Sequence, residues 1–118
     1  MFNVENYTSE SGRDYIREYL EKLAKDNKRN DLNQILETVK NLSEYGPDLK
    51  KHFPKLVKHI EADLYELRPG RNRIFYFYFK QNGYVLLHAY YKKTREAPDR
   101  ELNLARKRLK EYKRRNGA

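Results

Sequence analysis

Three arginines, Arg68, Arg71 and Arg73, interrupt the most apolar and aromatic stretch of the chain, LYELRPGRNRIFYFYF at positions 64–79. Guanidinium groups present a planar fork of N–H donors that matches the oxygens of a phosphate. Glu66 lies two residues before Arg68, and His88, Tyr90, Lys92 and Lys93 follow in the next apolar run, YVLLHAYYKK. Two arginines with a lysine can hold a phosphate and stabilise the extra negative charge it gains on becoming pentavalent. Glu66, His88 and Tyr90 are groups able to transfer protons, and an aromatic ring among them can stack on a base. Such a set suits RNA cleavage in which the ribose 2′-OH attacks the neighbouring phosphate. That chemistry needs a base, an acid and cationic stabilisation, and it calls for no cofactor.

Each residue also has a plainer reading. Arg71 falls in a turn and is expected to be solvent-exposed. Glu66 can pair with an arginine across the hairpin, and His88 within LLHAYY reads on its own as a satisfied, partly buried histidine. His52 and His59 have no carboxylate or cysteine cluster nearby, so no metal site is expected.

The elements that would position these groups follow from periodicity and turn signals. A short strand is expected near Phe2–Tyr7. Ser11 is a candidate cap for a helix carrying Tyr15, Ile16, Tyr19, Leu20, Leu23 and Ala24 on one face. Asn30 or Asp31 is a candidate cap for a second helix, with Leu32, Ile35, Leu36, Val39 and Leu42 as its stripe, ended by Gly46 and Pro47. ADLYELR, RIFYFYFK and YVLLHAYYK then read as three strands, separated by PGRN and by Asn82-Gly83. A last helix, about 98–114, starts at Pro98 and is apolar at Leu102, Ala105, Leu109 and Tyr112. Its other face carries Arg100, Arg106, Lys107, Arg108, Lys110 and Lys113. The order is one α+β domain over 1–118: a strand, a helical hairpin, a three-stranded antiparallel meander and a helix.

Register decides which side chains meet. With PGRN as a four-residue loop, Arg68 lies opposite Arg73. With Asn82-Gly83 as a two-residue turn, Arg73 faces Lys92, Phe75 faces Tyr90 and Phe77 faces His88. Glu66, Arg68, Arg73, His88, Tyr90 and Lys92 then share one face, while Tyr65, Leu67, Ile74, Tyr76, Val85, Leu87 and Ala89 share the other.

The 118-residue chain has a net charge of +9 and no cysteine, and it contains no apolar run of membrane-spanning length. A cysteine-free chain fits a reducing cytoplasm. MFNVENYTSESG has neither a basic nor an apolar leader segment, so no signal peptide is expected. From Lys92 onward there are eleven basic and four acidic groups, so most of the excess charge sits in the last quarter. A localised basic surface favours polyanions. Lys55, Lys58, Tyr90, Arg106, Lys107 and Lys110 are the candidate RNA-docking residues.

YELR, an arginine ahead of an aromatic strand, LLHAYYKKT and the Pro-initiated helix with ARKRLKEY together resemble the RelE/HigB-like toxins of bacterial toxin–antitoxin systems, more narrowly the phage-derived HigB-like branch. YTSESGRDYIREYLEKL is similar to that branch's first strand and helix. The resemblance implies a RelE-like α+β ribonuclease that cleaves mRNA in the ribosomal A site, docks on ribosomal RNA and works in the cytoplasm. It also implies a cognate antitoxin, commonly a small helix-turn-helix protein, through which operator DNA is bound. By the same resemblance Arg68 and Arg73 hold the scissile phosphate and Lys92 and Lys93 form the basic pair ending the last strand. Glu66 and His88 occupy recurrent motif positions whose roles vary. One departure is Ala97, where relatives often place Thr before the proline; Ala cannot cap a helix through its side chain. Two rival readings remain: a non-catalytic RNA-binding module, and a degenerate toxin acting as operator corepressor.

Overall fold

The aromatic segment forms the centre of a five-stranded sheet. In the computed structural model, which describes residues 1–95 and 98–117, the strands are β1 (Val4–Asn6), β2 (Val57–Glu61), β3 (Leu64–Leu67), β4 (Asn72–Phe79) and β5 (Gly83–Tyr91). The helices are α1 (Tyr15–Lys25), α2 (Arg29–Tyr45), α3 (Leu49–His52) and α4 (Asp99–Arg115), with a single 3₁₀ turn at Gly46–Asp48. Sheet order is β1-β5-β4-β3-β2, antiparallel except for β1, which runs parallel to β5. The α+β architecture is the one the sequence implies. The structure adds β2 at the edge of the meander and places β1 at the other edge. No helix among the described residues is long and apolar enough to cross a membrane.

Helices cover the sheet on both faces, which is why β4 reads as a nearly unbroken apolar run. On one face Ile16 of α1, Ile35 and Leu42 of α2 and Leu49 of α3 pack against Leu67, Ile74, Tyr76, Tyr84 and Leu86. On the other, Ala105 and Tyr112 of α4 pack against Phe75, Phe77, Phe79, Val85, Leu87 and Tyr90. Leu36 is 50% exposed and lies off the buried stripe assigned to it.

Several local expectations need correction. Asp14, not Ser11, caps α1: its Oδ1 accepts the Arg17 amide at 2.9 Å, while Ser11 bonds Ser9. The N-cap of α2 is Lys28, without a side-chain bond, and Asn30 and Asp31 sit inside the first turn. Gly46 does end α2 with a positive φ of 53°, but Pro47 opens the 3₁₀ turn that leads into α3 rather than breaking the helical path. A Cβ at Gly46 would also lie 2.3 Å from the Phe2 ring, so only glycine lets the N-terminal segment pack there. Pro98 is the N-cap of α4, with Asp99 and Glu101 in the first turn, where negative charge suits the helix dipole. Ala97 lies outside the described residues.

The β3–β4 register is as expected, with Glu66 opposite Phe75 and Leu67 opposite Ile74. The β4–β5 register is not. Phe79 pairs with Gly83, so the connection is the three-residue loop Lys80–Asn82, closed by the Asn82 amide on the Phe79 carbonyl at 2.9 Å. Gly83 follows the loop with φ 85°, and a Cβ there would lie 2.4 Å from the Asn3 carbonyl of the β1 segment. Farther along, a bulge at Leu87 shifts the pairing, after which Phe75 faces His88 and Arg73 faces Tyr90. Between loop and bulge the true register differs from the expected one by an odd number of residues. Val85 and Leu87 therefore face α4, the side opposite to that expected. Beyond the bulge the difference is two, and the expected face is restored for His88 and Tyr90.

Candidate active site

Glu66 is the centre of the polar face. It sits on β3 between Lys58 of β2 and Phe75 of β4, and it is only 3% exposed. The Tyr90 hydroxyl donates to Glu66 Oε2 at 3.1 Å, and Arg68 Nε stands 3.5 Å from Oε1. That distance is an ion-pair contact rather than a hydrogen bond. Arg68 Nε is indeed, among the described residues, the buried side-chain nitrogen or oxygen that has no hydrogen-bond partner. Such a donor is costly to leave unpaired, and it is turned to the Glu66 carboxylate rather than to solvent.

Arg73 is 8% exposed and paired with Tyr90 across the hairpin. Its Nη1 donates to the Gly70 carbonyl at 2.7 Å and to the Asn72 carbonyl at 2.9 Å, so the guanidinium is fixed against its own turn. Burial, and after it the Arg68 charge, hold Arg73 below its ordinary pKa; Glu66 pulls the other way. Lys92 is lowered by the same causes, desolvation first and then Arg73 and Arg68. Arg71 is exposed, as a turn residue should be, yet it ties the end of β5 to the turn. Its Nη2 donates to the Lys92 carbonyl at 2.9 Å, and the Lys92 amide returns a bond to the Arg71 carbonyl at 2.7 Å. Arg68, Arg73 and Lys92 thus stand around one carboxylate, with Arg71 held at the edge of the group. Their mutual repulsion is what an incoming phosphate would relieve.

The turn itself is anchored from below by Asn72, a residue the sequence reading passed over. Asn72 is fully buried; its Oδ1 accepts from Tyr19 at 2.5 Å, its Nδ2 donates to Asp31 at 2.9 Å, and its amide bonds the Pro69 carbonyl. Burial, with the Asp31 charge second, raises the Tyr19 pKa to about 12, so the hydroxyl stays a donor. The available signal was a polar residue opening an otherwise apolar strand.

His88 lies beside this cluster, its ring stacked 6.0 Å from that of Tyr90. Arg108 Nη1 approaches Nδ1 at 3.2 Å, and Nε2 is 2.7 Å from Glu101 Oε1. An arginine can only donate, so Nδ1 is the acceptor and Nε2 carries the proton given to Glu101. Desolvation lowers the His88 pKa, outweighing the Glu101 hydrogen bond that raises it. The folded protein therefore takes up this proton less readily than the unfolded chain. Stability from the neutral ring is present above the unfolded value near 6.5 and declines as pH falls below it. Thermal melting from pH 7.5 to 5.0 should show a larger loss of Tm for the wild type than for His88→Gln; equal slopes would contradict this placement.

The profile of the family described as "Phage derived protein Gp49-like (DUF891)" matches residues 18–110, from α1 into α4 and across every catalytic candidate named above. The chain belongs to this Gp49-like family. It is a RelE/HigB-like toxin family of toxin–antitoxin systems. No curated protein matches the sequence.

The Gp49-like site departs from the sequence-based picture in how Tyr90 is used. Tyr90 is 7% exposed and its ring stacks on Phe75 as well as His88, which leaves the hydroxyl, not the ring face, for the site. Lys93 is exposed beside Lys92, and Lys58 shares the face of Glu66 as its register partner. Lys55 is exposed just before β2. On α4, Lys107 and Lys110 point to solvent, whereas Arg106 is engaged with Glu61 at 2.5 Å. Arg108, expected on the basic outer face, turns inward instead. It lies 3.9 Å over the Tyr15 ring and donates to the Leu87 carbonyl at 2.9 Å. A long side chain whose stem and flat head both find apolar and aromatic partners gains more there than in water.

Proposed function

We propose that this protein is the toxin of a type II toxin–antitoxin pair, of the phage-derived HigB-like branch, and that it cleaves translated mRNA in the ribosomal A site. The observation that carries the proposal is the buried Glu66 carboxylate with Arg68, Arg73 and Lys92 around it. Arg68 and Arg73 grip the scissile phosphate, and Lys92 and Lys93 neutralise the charge that develops on it. Glu66 takes the proton of the 2′-OH as its oxygen bonds phosphorus. The bond to the 5′-oxygen breaks, and Lys92, its pKa lowered, supplies the proton to that leaving group. The products are a 2′,3′-cyclic phosphate and a 5′-hydroxyl. His88, held at both nitrogens, acts by keeping Tyr90 on Glu66.

Lys55, Lys58, Lys107 and Lys110 dock the protein on ribosomal RNA, where phosphate contacts make affinity fall with salt. Lys107→Ala should flatten the log K against log salt slope by about one. An unchanged slope would remove Lys107 from the interface. The cognate antitoxin, a small helix-turn-helix protein, neutralises the toxin in the cytoplasm and carries the complex to operator DNA. The engaged nitrogens of His88 favour a second reading, an RNA-binding module without catalysis. Primer extension on translated mRNA separates the two: new 5′ ends support cleavage, and binding without new ends supports the module.

A further inference from the structure

The sheet face opposite Glu66 carries a second, separate feature. A cavity of about 600 Å³ opens beyond the end of α2, walled by Phe2, Leu49, Tyr65, Tyr76, Tyr78 and Tyr84. Its size lies in the range of small-molecule sites. The tyrosine rings meet edge-on, Tyr76 on Tyr84 at 5.8 Å and Tyr78 on Tyr84 at 5.0 Å, and Tyr65 and Tyr78 are the exposed ones at 36% and 48%. Tyr76 and Tyr84 are only 4% and 6% exposed, yet neither hydroxyl has a hydrogen-bond partner among the described residues. A ligand that covers them has to supply their hydrogen bonds. Neither oxygen is sealed inside protein, so both open to the cavity. Lys50 and His59 are the basic residues of the lining. His59 Nε2 bonds the Ala62 carbonyl and its ring lies 4.9 Å from Tyr65, so Lys50 is the cation left for an anionic group. Asp48 is the carboxylate that acts on Tyr84 from the 3₁₀ turn.

We propose that this cavity is a nucleotide site that takes one unpaired base between tyrosine rings, with its phosphate toward Lys50. An aromatic side chain of a protein partner would fill the apolar volume but would leave at least one of the two hydroxyls unmatched. The edge of a base offers several donors and acceptors and can satisfy both. The site lies on the other face of the sheet from Arg68 and Arg73, and it does not depend on whether the protein cleaves RNA.

The test is ¹H–¹⁵N and tyrosine-ring NMR titration of the full chain with uridine and adenosine monophosphates, ribose 5-phosphate, a single-stranded tetraribonucleotide and a Phe-containing acidic peptide. The monophosphates should shift Tyr65, Tyr76, Tyr78 and Tyr84, while ribose 5-phosphate leaves them unmoved. Tyr78→Ala, at a 48% exposed residue that the fold does not need, should weaken binding about tenfold or more. Tyr84→Phe should weaken it without loss of the ring, and Arg73→Ala should leave it unchanged. Tighter binding of the tetranucleotide at the cavity marks an RNA strand as the source, and equal affinity marks a free nucleotide; either supports the proposal. Shifts confined to the Glu66 face, no effect of Tyr78→Ala, or occupation by the peptide alone would overturn it.

Discussion

Replacing Arg73 with alanine is expected to slow cleavage of ribosome-bound mRNA by about 10²–10³-fold, the usual cost of removing one fixed charge from a developing oxyanion. In cells the same variant should relieve growth arrest. Arg73 is the residue to remove because its position is over-determined. Its Nη1 is pinned by the Gly70 and Asn72 carbonyls, so the rest of the fork points where the fold dictates. Those two carbonyls lose a donor in the variant, which should cost about 1–3 kcal/mol of stability and be visible as a lower Tm. Arg73→Lys separates the two effects, since it restores the charge but not the fork and should recover only part of the rate. A folded Arg73→Ala protein that arrests growth as fully as the wild type would remove Arg73 from the phosphate grip.

Glu66→Gln is expected to have an effect of similar size by a different route. The amide keeps the volume of the buried carboxylate and can still accept from Tyr90, so the fold should survive. What it loses is the proton acceptor and the negative charge shared by Arg68, Arg73 and Lys92. Cleavage should fall by about 10²–10⁴-fold, the range for removing a positioned general base. RNA affinity should rise at the same time, because nothing offsets the cations any longer. Single-turnover rates and binding constants measured on the same RNA read the two changes separately. A loss below about tenfold would leave Glu66 as a structural partner of Arg68 and Tyr90 only.

The polar face was legible in the sequence because sheet faces obey parity. The hairpin turn was read one way and built another, but past the bulge the register differed by two residues, so Arg73, His88 and Tyr90 stayed together. Val85 and Leu87 lie before that point, where the difference is odd, and their side was misread for that reason. β2 escaped notice because Lys58 and His59 are adjacent and both exposed, which breaks the period-two pattern of a half-buried strand. Asn72 and Arg108 were missed for a different cause. A buried asparagine linking Tyr19 to Asp31, and an arginine turned in to Tyr15 and His88, depend on contacts between elements far apart in the chain. Periodicity contains no information about them. The plain reading of His88 as a satisfied histidine, by contrast, followed from its setting in LLHAYY and matches its two occupied nitrogens.

The chemistry of the cut ends is the most direct test of RNA cleavage at this face. Purified protein is incubated with ribosomes translating a defined mRNA, and the termini of the fragments are determined. Fragments ending in 2′,3′-cyclic phosphate and beginning with 5′-hydroxyl, absent with Arg73→Ala and with a 2′-deoxy substitution at the scissile position, are the predicted result. Fragments carrying 5′-phosphate, cleavage that persists at the deoxy position, or intact mRNA would contradict the account.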